Sequence, residues 1–238
     1  MLLIMTMGGV LASFMYALTQ NSHINFLTRR SSCDSCDRTL NVIDLIPVVG
    51  FLINRGRCKA CNTKISINYF FVELIMISLF LLPTITPLAY DNLVLYYLLV
   101  SILIPLSIYD YETMLIPLHM LLILLVTGLF LTNFINFDPF LDLIIVGLLH
   151  IFYFILKDKI GYGDIQLFSV LTVITPLDFF IFSFLFTYII GGIAVIVLDL
   201  ISKKRLVKVP LVPFIATSLI ITFFLYIDYN DIYFGGHL

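Results

Sequence analysis

Long apolar runs separated by short polar breaks occupy most of the chain. Their lengths suit membrane crossings rather than the half-apolar helices of a soluble domain. They cover about residues 2–19, 69–88, 92–109, 115–134, 139–156, 164–176, 179–200 and 209–227, which predicts eight helices. The first run, "LLIMTMGGVLASFMYAL", has no basic residue before it and no clear small-x-small cleavage site, so it reads as a retained transmembrane helix. The sixth, "IQLFSVLTVIT", is short and stops at Pro176, which fits either a short crossing or a re-entrant hairpin.

Composition moves the same way. The 238 residues are 61% hydrophobic and only 12% charged, with a mean hydropathy of +1.10. A soluble domain of this length has no such composition, so the fold class is an all-α polytopic membrane protein of about eight transmembrane helices, with the lipid bilayer as its first partner. The net charge of −2 makes no case for a nucleic-acid partner, and the many Phe and Tyr residues read as packing and lipid-facing groups. The oligomeric state is left open.

The positions of the basic residues matter more than their number. Arg29, Arg30, Arg38, Arg55, Arg57, Lys59 and Lys64 follow the first helix; Lys157 and Lys159 follow the fifth; Lys203, Lys204, Arg205 and Lys208 follow the seventh. With eight crossings every one of them falls on one side, which the positive-inside rule makes the cytoplasm, with both termini outside. A re-entrant sixth segment would move "KKRLVK" to the other side, so eight crossings are preferred. The expected organisation is a first transmembrane helix (1–19), a cytoplasmic four-cysteine loop (20–68) and a seven-helix membrane domain (69–238).

The loop holds every cysteine of the chain, as "CDSC" (Cys33, Cys36) and "CKAC" (Cys58, Cys61). Two such knuckles, each giving two thiolates from one turn, match a closed four-thiolate structural zinc site that leaves no position open for catalysis. Free thiols or a redox pair are the alternatives, and a cytoplasmic location speaks against permanent disulfides.

Two aspartates stand at the predicted cytoplasmic rim. Asp110 ends the third helix within "SIYDYETMLIP", and Asp164 starts the sixth within "GYGDIQLF". Carboxylates brought together there can share one proton, the ionised member activating water and the protonated member bonding the scissile carbonyl, as in aspartic proteases. Helix polarity suggests that Asp164, at a helix N-terminus, is the anion and Asp110, at a C-terminus, carries the proton. Gly161 and Gly163 are expected to allow positive φ and to leave room for a peptide backbone. Glu112 lies close enough in sequence to tune Asp110. Glu73, in the first turn of the second helix, is expected to be buried with a supporting or substrate-orienting role. Asp91, Asp138, Asp142 and Asp178 fall on the outer side, Asp199 is a salt-bridging candidate, and His119 and His150 read as packing residues.

At "DYETMLIP" and "GYGDIQLF", with the knuckles bracketing "DLIPVVGFL", the chain resembles the type IV prepilin peptidases, the leader peptidase/N-methyltransferases of pilus, type II secretion and competence systems. Its lean loop and length are similar to the Gram-positive competence-type members. The resemblance implies that Asp110 of a D-x-x-x-x-x-I/L-P motif and Asp164 of a G-x-G-D motif are catalytic. It implies prepilin or pseudopilin substrates cut on the cytoplasmic side of the bacterial plasma membrane. Where methyl transfer is also present, S-adenosylmethionine is the implied donor. The chain departs from the family's R-Y-P pattern at Asn68 and Phe70 while keeping Tyr69, departs again at Gln166, and keeps Ser13 and Phe14 of a longer first-helix signature; none of these is a proposed catalytic group. Two readings of other classes remain: a transporter, which would place coupling carboxylates nearer the bilayer midplane, and a membrane scaffold, for which both aspartates are dispensable.

Overall fold

The computed structural model describes residues 1–21, 30–33, 35–90, 92–131, 138–156, 160–202 and 209–226. Asp91, Arg29, Lys157, Lys159, Lys203, Lys204, Arg205 and Lys208, named above for their charge, lie outside these residues.

The described residues form helices α1 (Leu2–Gln20), α2 (Val49–Ile53), α3 (Ile67–Ile85), α4 (Leu93–Thr113), α5 (Leu118–Leu131), α6 (Pro139–Leu156), α7 (Tyr162–Ile174), α8 (Leu177–Ser202) and α9 (Val212–Leu225), with a 3₁₀ turn at Val42–Leu45. Apart from α2, each helix lies on one of the eight apolar runs. Five of them, α1, α3, α4, α6 and α8, are long and apolar enough to cross a membrane, while α5, α7 and α9 are shorter. Prolines account for part of the shortening. Pro117 immediately precedes α5, and its carbonyl accepts the N–H groups of Met120 and Leu121. The start of α9 waits until Val212, with proline in its first turn. Side-chain caps fix two other starts: Ser66 accepts the Asn68 N–H before α3, and Asn92 accepts the Leu95 N–H before α4.

Helix α4 is the centre of the bundle. Leu95, Tyr96, Leu99, Ile102, Leu103 and Leu106 are each 2% exposed or less, and burial runs all round the helix, as its lack of a polar face requires. It packs on α1, α3, α5 and α9; α9 in turn packs on α8, and α7 on α5 and α6. The two motif-bearing ends, the C-terminus of α4 and the N-terminus of α7, are joined through α5 and the linker that leads into it.

Candidate active site

Helix α4 runs past Asp110 to Thr113, one turn further than expected. Met114 closes it in the left-handed conformation (φ 56°, ψ 32°) and donates its N–H to the Asp110 carbonyl at 2.8 Å. The Asp110 carboxylate is buried, 4% exposed. Its Oδ2 accepts the N–H of Val212, the first residue of α9, at 3.2 Å. Asp110 thus faces a helix N-terminus, and Asp164, in the first turn of α7, does the same. The polarity argument that gave the proton to Asp110 therefore fails: both carboxylates have a helix N-terminus in front of them. The partner of Asp110 could not be found from sequence, because Val212 is remote along the chain and contributes only backbone.

The linker after α4 joins the two motifs. Ile116 packs against Gly163 so closely that a Cβ on the glycine would fall 3.1 Å from the Ile116 Cβ. At Gly161 a Cβ would lie 2.9 Å from Oδ2 of Asp164 itself. The expectation of positive φ is not met: Gly161 has φ −69°, Gly163 is helical, and Gly56 is the glycine with positive φ among the described residues. Both motif glycines are needed for close approach instead, one for Ile116 and one for the carboxylate. Ile116 lies six residues beyond Asp110, and Gly163 directly precedes Asp164, so the Ile116–Gly163 contact brings the two motifs together at one end of the bundle. Gly161→Ala is expected to leave the fold intact and to lower turnover about tenfold to a hundredfold by displacing the Asp164 carboxylate. Steady-state kinetics check this: the loss should fall in kcat with KM little changed.

The other two acids are tied elsewhere. Glu73, in the second turn of α3 rather than the first, is 8% exposed. One of its oxygens accepts the Ser13 hydroxyl of α1, and the other accepts the backbone N–H of Val48 at 2.5 Å. Glu112 accepts the Tyr16 hydroxyl at 3.2 Å and the side-chain amide of Asn68. It thereby links the end of α4 to α1 and α3. His119 of α5 bonds the Leu18 carbonyl of α1 at 2.9 Å, a contact between helices, while His150 bonds the Val146 carbonyl one turn back in its own helix at 2.8 Å.

The four cysteines come together in two matching turns. Cys33 and Cys58 each take a backbone bond from the residue four ahead (Asp37 and Asn62), and each donates its own N–H across the turn. Asp37 (φ 52°) and Asn62 (φ 59°) sit just after the second cysteine of each pair. Asp and Asn tolerate that left-handed geometry better than most residues. All four Sγ atoms lie within 4.8 Å of one another, with Cys33–Cys61 at 3.8 Å and Cys36–Cys58 at 3.9 Å. Thiolates at about 2.3 Å from a tetrahedral ion are about 3.8 Å apart, so the cluster has the size and donor set of a metal site. The Thr63 hydroxyl and N–H hold the Cys61 thiol down to about 6, which favours the thiolate.

Asp44 braces this cluster and was not singled out in the sequence. Its carboxylate accepts Lys59 Nζ at 2.8 Å, Asn54 Nδ2 at 3.0 Å, the Asn41 N–H at 3.2 Å and Arg38 Nη2 at 3.4 Å. Lys59 first, and Asn54 next, lower its carboxyl to about 2. The brace is therefore charged at neutral pH and ties one knuckle, through Arg38, to the other, through Lys59.

Comparison with known proteins fits this geometry. The Bacterial Peptidase A24 N-terminal domain matches residues 6–86, the part holding the cysteines and Glu73. The Type IV leader peptidase family matches residues 97–196, the part holding Asp110 and Asp164. A prepilin leader peptidase/N-methyltransferase of Bacillus subtilis is 31% identical over 91% of this chain and 90% of its own. Its counterpart in Vibrio cholerae is 29% identical over 83% and 81%. No solved structure matches. With both halves matched in order and relatives alike over nearly their full length, the chain belongs to the type IV prepilin leader peptidase/N-methyltransferase family.

Proposed function

We propose that the protein is a membrane-embedded aspartic endopeptidase that removes the short basic leader from type IV prepilins or competence pseudopilins. The observation that carries this reading is the contact between the two motifs at one end of the bundle, Ile116 of the Asp110 motif seated on Gly163 of the Asp164 motif. One carboxylate, ionised, takes a proton from water, and the resulting oxygen nucleophile attacks the scissile carbonyl. The other, protonated, donates a hydrogen bond to the carbonyl oxygen as charge develops there. Collapse of the tetrahedral adduct breaks the C–N bond, and the leaving amine takes the proton.

In this reading the chemistry lies at the cytoplasmic face, where a basic leader lies, with both termini outside, which the distribution of the basic residues along the sequence supports. In this arrangement α5, α7 and α9 also cross, completing eight spans. At 13 residues α7 covers about 20 Å of a hydrocarbon core of about 30 Å. Local thinning at its cytoplasmic end would bring water to Asp164. Zinc is the metal that four thiolates at these distances suit, and Cys33, Cys36, Cys58 and Cys61 would hold it as a closed structural centre.

Methyl transfer to the new N-terminus, from S-adenosylmethionine, is the second activity proposed. The cavity between α4 and α9, lined by Leu99, Leu103, Ala216, Leu219 and Phe223, is apolar and fits neither the charged amino-acid end nor the adenine of such a donor. Membranes containing the full chain, incubated with a prepilin-like substrate and S-adenosylmethionine, test both activities in one mass spectrum. Loss of the basic leader is the expected result, with one added methyl group if transfer occurs. Substrates that stay intact across a panel of prepilins and pseudopilins would overturn the peptidase reading.

A further inference from the structure

The segment between the two knuckles was expected to lie in the cytoplasmic loop, and its contacts are with the middle of the membrane helices. Pro47 sits on Gly9 of α1: a Cβ at Gly9 would fall 2.5 Å from the Pro47 Cβ and 3.3 Å from Ile77 Cδ1 of α3. The next residue, Val48, gives its N–H to Glu73 of α3. Phe51 then packs against Phe70, ring centroids 5.3 Å apart and planes tilted by 35°. From Val48 to Phe51 the chain advances as many residues as α3 does from Phe70 to Glu73. From Val48 the chain therefore returns antiparallel to α3.

These contacts set a depth. Gly9 is about 16 Å along α1 from Gln20, and Ile77 about 15 Å along α3 from Ile67, at about 1.5 Å per residue. Glu73 is about 9 Å along α3. Polar Gln20 and Asn21 on α1, with Ser66 and Asn68 on α3, mark where both helices leave the apolar layer. Both helices are long and apolar enough to cross a membrane, and half a hydrocarbon core is about 15 Å. The turn at Pro47–Val48 thus reaches towards the bilayer midplane.

Chemistry along the segment agrees with that depth. From Leu45 to Ile53 the sequence "LIPVVGFLI" has no ionisable group, and Asp44, above it, faces the knuckles. Leu45, Ile46, Val49, Leu52 and Ile53 are each more than 40% exposed. In water they would form a bare apolar patch. Non-helical backbone at membrane depth survives only where protein satisfies its polar groups. The Glu73 carboxylate does this for Val48, whose φ of 62° is far from what a β-branched residue prefers.

We propose that residues 45–53 form a re-entrant wedge in the bilayer, held by the Pro47–Gly9 and Val48–Glu73 contacts, with its exposed apolar face against lipid acyl chains. The cysteine cluster would then be anchored to the membrane by a hairpin of its own, between α1 and α3. The inference rests on α1 and α3 crossing the bilayer and is independent of the peptidase reading, so a failed cleavage assay leaves it standing.

The chain contains no tryptophan, which makes depth directly measurable. Val49→Trp and Leu52→Trp, each in the full chain reconstituted with phosphatidylcholines brominated along the acyl chain, place the probe at exposed positions that tolerate its bulk. Lys64→Trp, in the second knuckle, is the reference. The expected result is short-wavelength emission at positions 49 and 52, lost to bromolipid and resistant to acrylamide, with the opposite response at 64. Acrylamide quenching without bromolipid quenching at both positions would put the segment in water and overturn the proposal. Protection from both quenchers, or loss of bromolipid quenching when a prepilin transmembrane peptide is added, would give the face to another protein surface and overturn lipid as its occupant.

Discussion

Asp110→Asn and Asp164→Asn, introduced singly into the full chain, are each expected to lower leader cleavage by about 10²–10⁴-fold or more, while the protein stays folded in the membrane. The substitutions are chosen for what they keep. An asparagine at position 110 has nearly the volume of aspartate and still offers an oxygen to the Val212 N–H, so the junction of α4 and α9 survives. Asp110→Ala would instead strand that N–H in a buried site, at a cost of about 1–3 kcal/mol, and confuse folding with chemistry. At position 164 the asparagine fits the space that Gly161 leaves. What both variants lose is the ability to take a proton from water or to share one with the other carboxyl group. The measurement is the mass of the substrate N-terminus after incubation with membranes containing equal amounts of folded enzyme. Cleavage by both variants at the wild-type rate would make the aspartates structural and sink the two-carboxylate mechanism.

Positions of the helices were legible in the sequence because lipid leaves so few options. Every backbone group of a span must bond internally, so a long apolar run between polar breaks has to be a helix. The ends were less legible: α4 continues through Asp110 because Met114, not the aspartate, takes the left-handed closing conformation. Motif residues were legible as types at spacings, and their neighbours were not. Val212 acts on Asp110 through a backbone N–H that any non-proline residue would supply, so no residue type marks it. The glycines were identified, but positive φ is not what they supply; the space that the missing Cβ leaves is taken by Ile116 and by the Asp164 carboxylate. Asp44 was overlooked because its partners Arg38, Asn54 and Lys59 follow no period. "DLIPVVGFLI" reads as a loop fragment between knuckles, too short to span; only contacts with Gly9 and Glu73 reveal how far in it reaches.

Removing the metal from the cysteine cluster, or replacing Cys58 by serine, is expected to unfold the segment between α1 and α3 while the remaining helices persist. The segment has little else to hold it. Apart from the wedge contacts, its order among the described residues comes from two one-bridge turns, the short turns at Val42–Leu45 and α2, and the Asp44 brace. Ion pairs of partly exposed groups such as Lys59 contribute about 1 kcal/mol or less. Binding of a structural zinc ion carries about 10–16 kcal/mol of apparent free energy in zinc-finger peptides. Cys58 is the ligand to remove, because it is 6% exposed and its backbone closes the second knuckle. Serine keeps that backbone geometry and removes the soft thiolate. Two readouts separate loss of metal from loss of protein: zinc per chain by elemental analysis, and the rate at which a soluble protease nicks between Cys33 and Cys61. Wild type should hold about one zinc ion and resist nicking, and chelation should abolish both properties, with zinc restoring them. Asp44→Asn should keep the metal and increase nicking only slightly, since it removes the brace and leaves the ligands. A wild-type chain free of zinc yet resistant to protease, with Cys58→Ser behaving identically, would mean that the Asp44 brace and the wedge contacts alone hold the segment together.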